Sequence, residues 1–151
     1  MKSIYLAGLI STEKQESLTW RRAARRKFFN DYEDKLVILD PMRGKWDLEQ
    51  QSQNGGLTDP AFTSTDIIRR DYGDVSQADI ILVNLNDFGS SRPLVGTIME
   101  LAWAWEQKKL VIAIAGPNVT WLRDHPFVKE CVSHWFSSVD AAIEFIVGRI
   151  L

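Results

Sequence analysis

Cysteine, histidine and long apolar runs are scarce in this sequence of 151 residues. The one cysteine, Cys131, cannot form an internal disulfide, which fits a reducing compartment. The two histidines, His125 and His134, offer too few ligands for a zinc site, and we expect both to be structural or surface residues. No stretch approaches the roughly 18 consecutive apolar residues that a membrane-spanning helix needs, so we predict no membrane partner.

An excess of basic charge is also missing, since 18 Lys and Arg face 20 Asp and Glu and the formal net charge is −2. That balance provides no excess of positive charge with which to bind a nucleic-acid polymer, and we predict no such partner. Neither a G-x-G-x-x-G fingerprint nor a G-x-x-x-x-G-K-[ST] loop occurs, which argues against the usual dinucleotide and P-loop sites. We therefore expect neither a cofactor nor a metal ion.

What the sequence does contain is an alternation of short apolar runs with longer amphipathic stretches. The predicted strands cover residues 3–7, 36–39, 80–85, 110–115 and 132–136. The predicted helices cover residues 12–30, 65–78, 97–107, 121–131 and 137–150. Capping-box spacing occurs near the start of three of these helices, at Thr12 with Gln15, Thr97 with Glu100, and Ser137 with Asp140. Residues 41–62, rich in Gly, Gln, Asn and Pro, are predicted to form a long loop.

Five nearly continuous apolar strands separated by helices predict a parallel, doubly wound sheet between two helical layers. We predict a single α/β domain over residues 1–151, flavodoxin-like or Rossmann-like in architecture. The N-terminal apolar run reads as its first strand rather than a secretory leader, which favours the cytoplasm. Because ligands of such sheets bind beyond the carboxyl ends of the strands, the site is expected among the loops at 8–12, 40–46, 84–97 and 116–120.

Asp71 is an acidic residue in an apolar position. It lies in the inward stripe of the predicted helix 65–78, four residues from both Ile67 and Val75. A carboxylate facing inward must be paired or must have a shifted pKa, and such groups cluster at functional sites. The alternative is an Asp that bonds a backbone group. The neighbouring charges are predicted to form a solvated ladder of ion pairs: Asp66, Arg70 and Asp74.

Two further residues admit two interpretations each. Glu100 is the only acid in the apolar segment before Glu106, and it is either a helix cap or a functional acid. Tyr5 lies in the middle of the first strand, where its hydroxyl needs a partner, and a backbone partner is the ordinary solution. The cationic cluster of the first helix is expected to form its solvated face: Arg21, Arg22, Arg25, Arg26 and Lys27.

Three separated segments resemble the nucleoside 2-deoxyribosyltransferase family, which includes related nucleoside-monophosphate N-glycosidases. They are IYLAG at 4–8, RRDYGDVSQAD at 69–79, and ADIILVNL at 78–85 followed by GTIMELAWA at 96–104. The resemblance implies that Glu100 is the nucleophile, that Tyr5 holds its carboxylate in line, and that Asp71 handles the proton of the base. The implied substrate-binding residues are Gly8, Asp40, Ser91, Arg92, Gly96 and Thr97.

The reaction implied by this resemblance is cleavage of the N-glycosidic bond of a nucleoside through a glycosyl-enzyme, with transfer of the sugar to another base. Leu94 departs from the pattern, because the transferases often carry an acid there and the monophosphate hydrolases a serine. Arg92 could meet a 5′-phosphate, which leaves hydrolysis of a nucleoside monophosphate open. A third alternative is a nucleotide-binding module without turnover. The resemblance also implies a homo-oligomer, for which the aromatic-rich stretch 101–105 is a candidate interface.

Overall fold

A computed structural model describes residues 1–45 and 61–151. The strands are β1 (Lys2–Gly8), β2 (Leu36–Leu39), β3 (Ile80–Asn84), β4 (Leu110–Ile114) and β5 (His134–Phe136). The longer helices are α1 (Glu16–Tyr32), α2 (Ser64–Gln77), α3 (Val95–Glu106) and α6 (Val139–Arg149). Between β4 and β5 lie a 3-10 turn at Pro117–Val119 and two short helices, α4 (Thr120–Arg123) and α5 (Pro126–Cys131). Most of the predicted loop at 41–62 lies outside the described residues.

All five strands are parallel, in the order β2-β1-β3-β4-β5. This confirms the predicted flavodoxin-like sheet, with its topological switch between β1 and β3. Alternate strand residues face opposite layers, as the pleat requires. Tyr5 and Ala7 face the core beneath α2, α3 and α5, whereas Ile4 and Leu6 face the core beneath α1 and α6.

None of the three pairs with capping-box spacing forms a capping box, and each absence has a local cause. α1 begins at Glu16 rather than at 12, because Ser17 Oγ binds back to the amide and the carbonyl of Ser11 and holds the preceding loop. α3 begins at Val95, behind a Leu94 cap that makes no side-chain hydrogen bond, so Thr97 and Glu100 lie inside the helix. In α6 the capping hydroxyl is that of Ser138, which accepts from Ala141 N at 3.2 Å.

The predicted helix 121–131 is interrupted. Pro126 has no amide hydrogen to continue a helix from α4, so a second helix, α5, starts there. His125 caps this second helix, because its Nδ1 accepts a hydrogen bond from Phe127 N at 3.2 Å. His125 and His134 are both exposed, in line with the structural or surface role expected for them.

Candidate active site

Tyr5, Asp71 and Glu100 come together on one face of the sheet. Tyr5 is fully buried on β1, Glu100 on α3 is 8% exposed, and the side chain of Asp71 on α2 is 14% exposed. Helices α2 and α3 pack against each other and against β1, which brings the three side chains within electrostatic reach. Burial raises the pKa of Tyr5 well above its usual value, and the charges of Glu100 and Asp71 raise it further.

Glu100 is a buried acid whose carboxyl oxygen Oε2 has no hydrogen-bond partner in the described part of the protein. Its Oε2 and the Tyr5 hydroxyl are buried and make no hydrogen bond of ordinary geometry with any described residue. Burial raises the pKa of Glu100 to about 8, although the nearby Tyr5 hydroxyl acts to lower it. The hydroxyl is thus close enough to act on the carboxyl but outside the geometry of a formed bond. Unsatisfied buried polar groups are rare and cluster at functional sites.

Asp71 is placed inward, beside a cation. Its Oδ1 lies 3.3 Å from Arg70 Nε. Burial raises the pKa of Asp71, and the charges of Arg70 and Lys45 oppose that rise. Asp71 and Glu100 therefore both have carboxyl groups with raised pKa values, and both act on Tyr5. The charge of Asp71 is also among those that raise the pKa of Glu100.

The solvated ladder predicted along α2 is wrong. Asp74 is only 6% exposed, and its carboxylate accepts hydrogen bonds from both terminal guanidinium nitrogens of Arg43, with Nη2 at 2.9 Å from Oδ1. Asp66 instead forms a capping box with Thr63 at the start of the helix. Arg70 reaches the carbonyl of Pro41 at 2.6 Å. Helix α2 thus holds the loop after β2, which lies at the carboxyl end of the sheet.

The predicted solvated face of α1 is wrong at Arg21. This side chain is 0% exposed, and its guanidinium donates to the carbonyls of Leu6, Gly8, Leu9 and Ser17. Arg22, Arg25, Arg26 and Lys27 are exposed, as expected.

Asp40 and Gly8 both make close contacts at the carboxyl end of the sheet, after β2 and at the end of β1. The Asp40 carboxylate accepts from Met42 N at 2.8 Å and lies 3.5 Å from Arg25 Nη1. Gly8 has φ +154°, and a Cβ there would lie 2.9 Å from the carbonyl oxygen of Asn84. Both residues are buried, and these contacts account for their identity without a ligand. Their substrate-binding roles stay predictions.

The remaining predicted contacts lie around the start of α3. Gly96 is exposed and a Cβ there would meet open space, whereas Thr97 is 3% exposed. Ser91 and Arg92 line a groove of about 690 Å³ on the outer flank of α3, which Tyr5, Asp71 and Glu100 do not line. Ser91 and Arg92 therefore line a different surface from the one that Tyr5, Asp71 and Glu100 face.

Glu13 contacts the loop that contains Ser90 and Ser91, and the sequence gave no indication of this contact. Its carboxylate accepts from Ser91 N at 3.2 Å, from Ser91 Oγ at 2.9 Å and from Ser90 Oγ at 3.3 Å. These bonds to Ser91 lower the pKa of Glu13. Glu13 follows β1 and Ser91 follows β3, so the contact joins the two loops at the topological switch of the sheet.

Asn84 and Asn86 hold the neighbouring loop after β3. The buried Asn84 Oδ1 accepts from Asn86 Nδ2 at 2.9 Å, and Asn86 Oδ1 accepts from Gly116 N at 2.8 Å. In the described part of the chain, no group of three or more His, Cys, Asp or Glu could hold a metal ion. None of the described helices is long and apolar enough to cross a membrane.

No protein-family model matches the sequence, and no curated protein matches it significantly. Among solved structures, a conserved protein from Enterococcus faecalis V583 is similar over 99% of both chains, with a TM-score of 0.68 and 16% identity. A 2-desoxiribosyltransferase from Leishmania mexicana is similar over 100% of both chains, with a TM-score of 0.66 and 19% identity. A 2-deoxyribosyltransferase from Bacillus psychrosaccharolyticus covers 93% of this chain and 90% of its own, with a TM-score of 0.63 and 16% identity. The fold of this chain is therefore the one found in 2-deoxyribosyltransferases.

Proposed function

We propose that this chain is an enzyme that breaks the N-glycosidic bond of a nucleoside or deoxynucleoside and transfers the sugar to another base, with Glu100 as nucleophile. The observation that carries the proposal is the buried carboxyl of Glu100, which faces the Tyr5 hydroxyl and lies within electrostatic reach of Asp71. The likeness of the fold to two 2-deoxyribosyltransferases supports the same chemistry.

In the first half of the reaction, a carboxylate oxygen of Glu100 attacks the anomeric carbon of the sugar. The carbon–nitrogen bond breaks, and its electron pair goes to the leaving base. The carboxylic acid of Asp71 gives its proton to that base, which leaves neutral. The products are a glycosyl ester on Glu100, the free base and the Asp71 carboxylate, as in a retaining glycosidase.

In the second half, Asp71 takes the proton of the incoming base, whose nitrogen attacks the anomeric carbon. The ester bond breaks, and its electron pair returns to the Glu100 carboxylate. If water takes the place of the second base, the same steps give hydrolysis. Whether water can reach the glycosyl ester therefore decides if the site acts as a hydrolase or as a transferase.

The chemistry requires one proton on the pair, held by Asp71 while Glu100 is ionised. In the free protein the order of ionisation favours the opposite arrangement, because the more deeply buried Glu100 has a pKa of about 8. The charge of Asp71 raises the pKa of Glu100, so the reactive arrangement, with the proton on Asp71 and Glu100 ionised, is the less favoured one in the free protein. Activity should therefore fall as the pH rises through about 8, where the pair loses its last proton.

We propose that Gly96 and Thr97 line the sugar site. The first amides of α3 have no acceptor within the helix and point toward the region before it, where they could donate to the sugar. The open space at Gly96 would let a substrate approach the backbone. Gly8 lies at the end of β1 and Asp40 directly after β2. We propose that their contacts fix the backbone at these strand ends, beside the site.

Glu13 favours an unphosphorylated substrate over a nucleoside monophosphate. Its carboxylate already occupies the amide and the hydroxyls that Ser90 and Ser91 could offer to a phosphate. A phosphate would have to displace this carboxylate or meet its negative charge. Hydrolysis of a monophosphate, with Arg92 and Ser91 on the phosphate, remains the second candidate.

We also propose that the protein is a cytoplasmic homo-oligomer. Helix α3 presents Met99 and Trp105 to solvent, at 44% and 61% exposure, and Phe127 on α5 is 82% exposed nearby. Exposed apolar patches of this kind mark contact surfaces. Trp103, in contrast, is partly buried: it packs edge-on against Tyr72, with ring centroids 5.3 Å apart, and against the core beneath α3.

The test is chromatography of reactions with deoxynucleosides, nucleosides and their monophosphates, each with and without a second free base. A new nucleoside formed only with the second base would support the transferase. Release of base from monophosphates alone would favour the hydrolase. Glu100→Gln should abolish either activity, and Glu106→Gln, an exposed acid on the same helix, is the matched control. Ligand-induced stabilisation without any turnover would instead indicate a binding module.

A further inference from the structure

Lys45 is a buried lysine in the turn that follows β2, at the carboxyl end of the sheet. The residue is 8% exposed, and its amide donates to Met42 O at 2.9 Å. Its ammonium makes no hydrogen bond and no ion pair with any other described residue. Its contact is the ring of Phe62, whose centroid lies 5.9 Å from Nζ, at the outer limit of a cation–π interaction. The proposed chemistry does not use this side chain.

The turn that carries Lys45 is held against the helix that carries Asp71. Arg70 on α2 donates from Nη1 to the carbonyl of Arg43 at 3.3 Å. The guanidinium of Arg70 also lies over the ring of Phe62, with 4.9 Å from Cζ to the centroid. Its Nε is 3.3 Å from Asp71 Oδ1. Lys45 and Arg70 therefore contact the same ring, and Arg70 contacts Asp71, which places the ammonium on the Asp71 side of the proposed site.

The acids of this region are already paired with the other two cations. Asp74 accepts from Arg43 Nη2 at 2.9 Å, and Asp71 lies beside Arg70. Lys45 is the third cation of the region, and it forms an ion pair with none of the described acids. Burial lowers the pKa of Lys45 and the charge of Arg70 lowers it further, while the charge of Asp71 opposes that shift.

Stability alone gives no reason for a lysine at this position. A methionine of nearly the same length would pack against Phe62 without burying a charge. An ammonium has three donors and no acceptor, so the partner that would complete the site is a hydrogen-bond acceptor. A ligand beside Asp71 can supply that acceptor, and in the proposed reaction the group beside Asp71 is the base.

We propose that Lys45 is a substrate-binding residue that donates a hydrogen bond to a carbonyl oxygen of the nucleobase, so that the site prefers bases with an oxo group to bases that carry only amino groups. The inference rests on the proposed function in that it puts the base beside Asp71. An amino group in place of the carbonyl would leave two donors facing each other. A site with a buried donor rejects a substrate that cannot pair with it.

Two nucleosides are matched probes of this contact. 2′-Deoxyinosine carries an oxo group where 2′-deoxyadenosine carries an amino group, and adenine has no carbonyl oxygen. Calorimetry measures the binding of each probe to Glu100→Gln, in which no turnover is expected, with and without Lys45→Met or Lys45→Arg. Methionine removes the charge and the donors, whereas arginine keeps both. Lys35→Met is the matched control, because Lys35 is exposed and lies just before β2, at the opposite end of the strand.

Deoxyinosine should bind more tightly than deoxyadenosine to the protein with Lys45. Lys45→Met should weaken the binding of deoxyinosine about 10- to 100-fold, as expected for a lost hydrogen bond to a charged group, and that of deoxyadenosine much less. Lys45→Arg should restore part of the preference, and Lys35→Met should leave it unchanged. An unchanged preference in folded Lys45→Met, or an equal loss of affinity for both probes, overturns the proposal.

If Lys45→Met does not fold, Lys45→Gln takes its place. Glutamine can accept as well as donate, so it should bind both probes alike, and a retained preference would refute the contact. Loss of the preference in a protein whose wild type turns over no nucleoside would support the contact and refute the proposed function. Turnover by the wild type, with a preference that Lys45→Met leaves unchanged, would do the reverse.

Discussion

Replacing Glu100 by glutamine should remove a pH dependence from the stability of this protein. The pKa of Glu100 is about 8 in the folded protein, against 4.5 for an ordinary glutamate. Between these two values the folded state binds more protons than the unfolded chain, so the free energy of unfolding falls as the pH rises. Glutamine is close in size and stays neutral, and it therefore resembles the protonated acid at every pH.

The size of the effect follows from the same difference. Each pH unit between the folded and the unfolded pKa corresponds to about 1.4 kcal/mol. For a side chain as buried as Glu100, the wild type should lose up to about 4 or 5 kcal/mol between pH 5 and pH 9 from this group alone. At pH 5 the two proteins should differ only by an offset of about 1 kcal/mol, from the glutamine amide beside the Tyr5 hydroxyl.

The assay is urea unfolding of both proteins at pH 5, 7 and 9. The free energy of unfolding of Glu100→Gln should exceed that of the wild type by a margin that widens with pH. Glu106→Gln should follow the wild type, because Glu106 is exposed at the end of the same helix. Parallel pH dependences for wild type and Glu100→Gln would mean that Glu100 is hydrated or paired in solution, and the electrostatic reasoning about the site would be wrong.

Three further substitutions test single parts of the proposal. Asp71→Asn should slow release of the base about 10²- to 10⁴-fold with little change in substrate binding, and unchanged single-turnover kinetics would leave Asp71 a structural role. Gly96→Ala has open space for its methyl group and should raise stability by up to about 1 kcal/mol while it lowers kcat/KM; full activity would mean that no substrate approaches there. Glu13→Gln should raise kcat/KM for monophosphates relative to nucleosides, and the same ratio in Glu13→Gln and in the control Glu16→Gln would contradict a role for Glu13 in selecting substrates.

The sheet could be predicted from the sequence because each strand is a short apolar run between helical stretches. The limits of β2 at Leu36–Leu39 are those predicted, and the parallel order follows from the alternation of strands and helices. The start of α2 was predicted to within one residue, but the starts of α1 and α3 could not be predicted in the same way. α3 begins behind Leu94, whose 9% exposure shows that tertiary packing, not a capping side chain, fixes that end.

The inward position of Asp71 was predicted from spacing, and the same rule applies to Arg21. Arg21 lies three residues from both Leu18 and Ala24, and both of these are buried. Its burial was missed because the neighbouring Arg22, Arg25, Arg26 and Lys27 gave the whole segment a solvated composition. The partners of Arg21 are backbone carbonyls, which every residue has and which the sequence therefore cannot indicate. Helical spacing was the only signal in the sequence for the burial of Arg21.

Burial and the surrounding charges explain why a buried guanidinium leaves Glu100 largely protonated near neutral pH. Burial is the largest cause of the raised pKa of Glu100, and the positive charge of Arg21 only partly offsets it. Asp71 and Asp74 add negative potential on the other side of Glu100. A neutral Glu100 avoids an unpaired charge in the free protein. In the proposed reaction, positive charge that develops on the sugar during bond cleavage would favour ionisation of Glu100 at the moment when a nucleophile is needed.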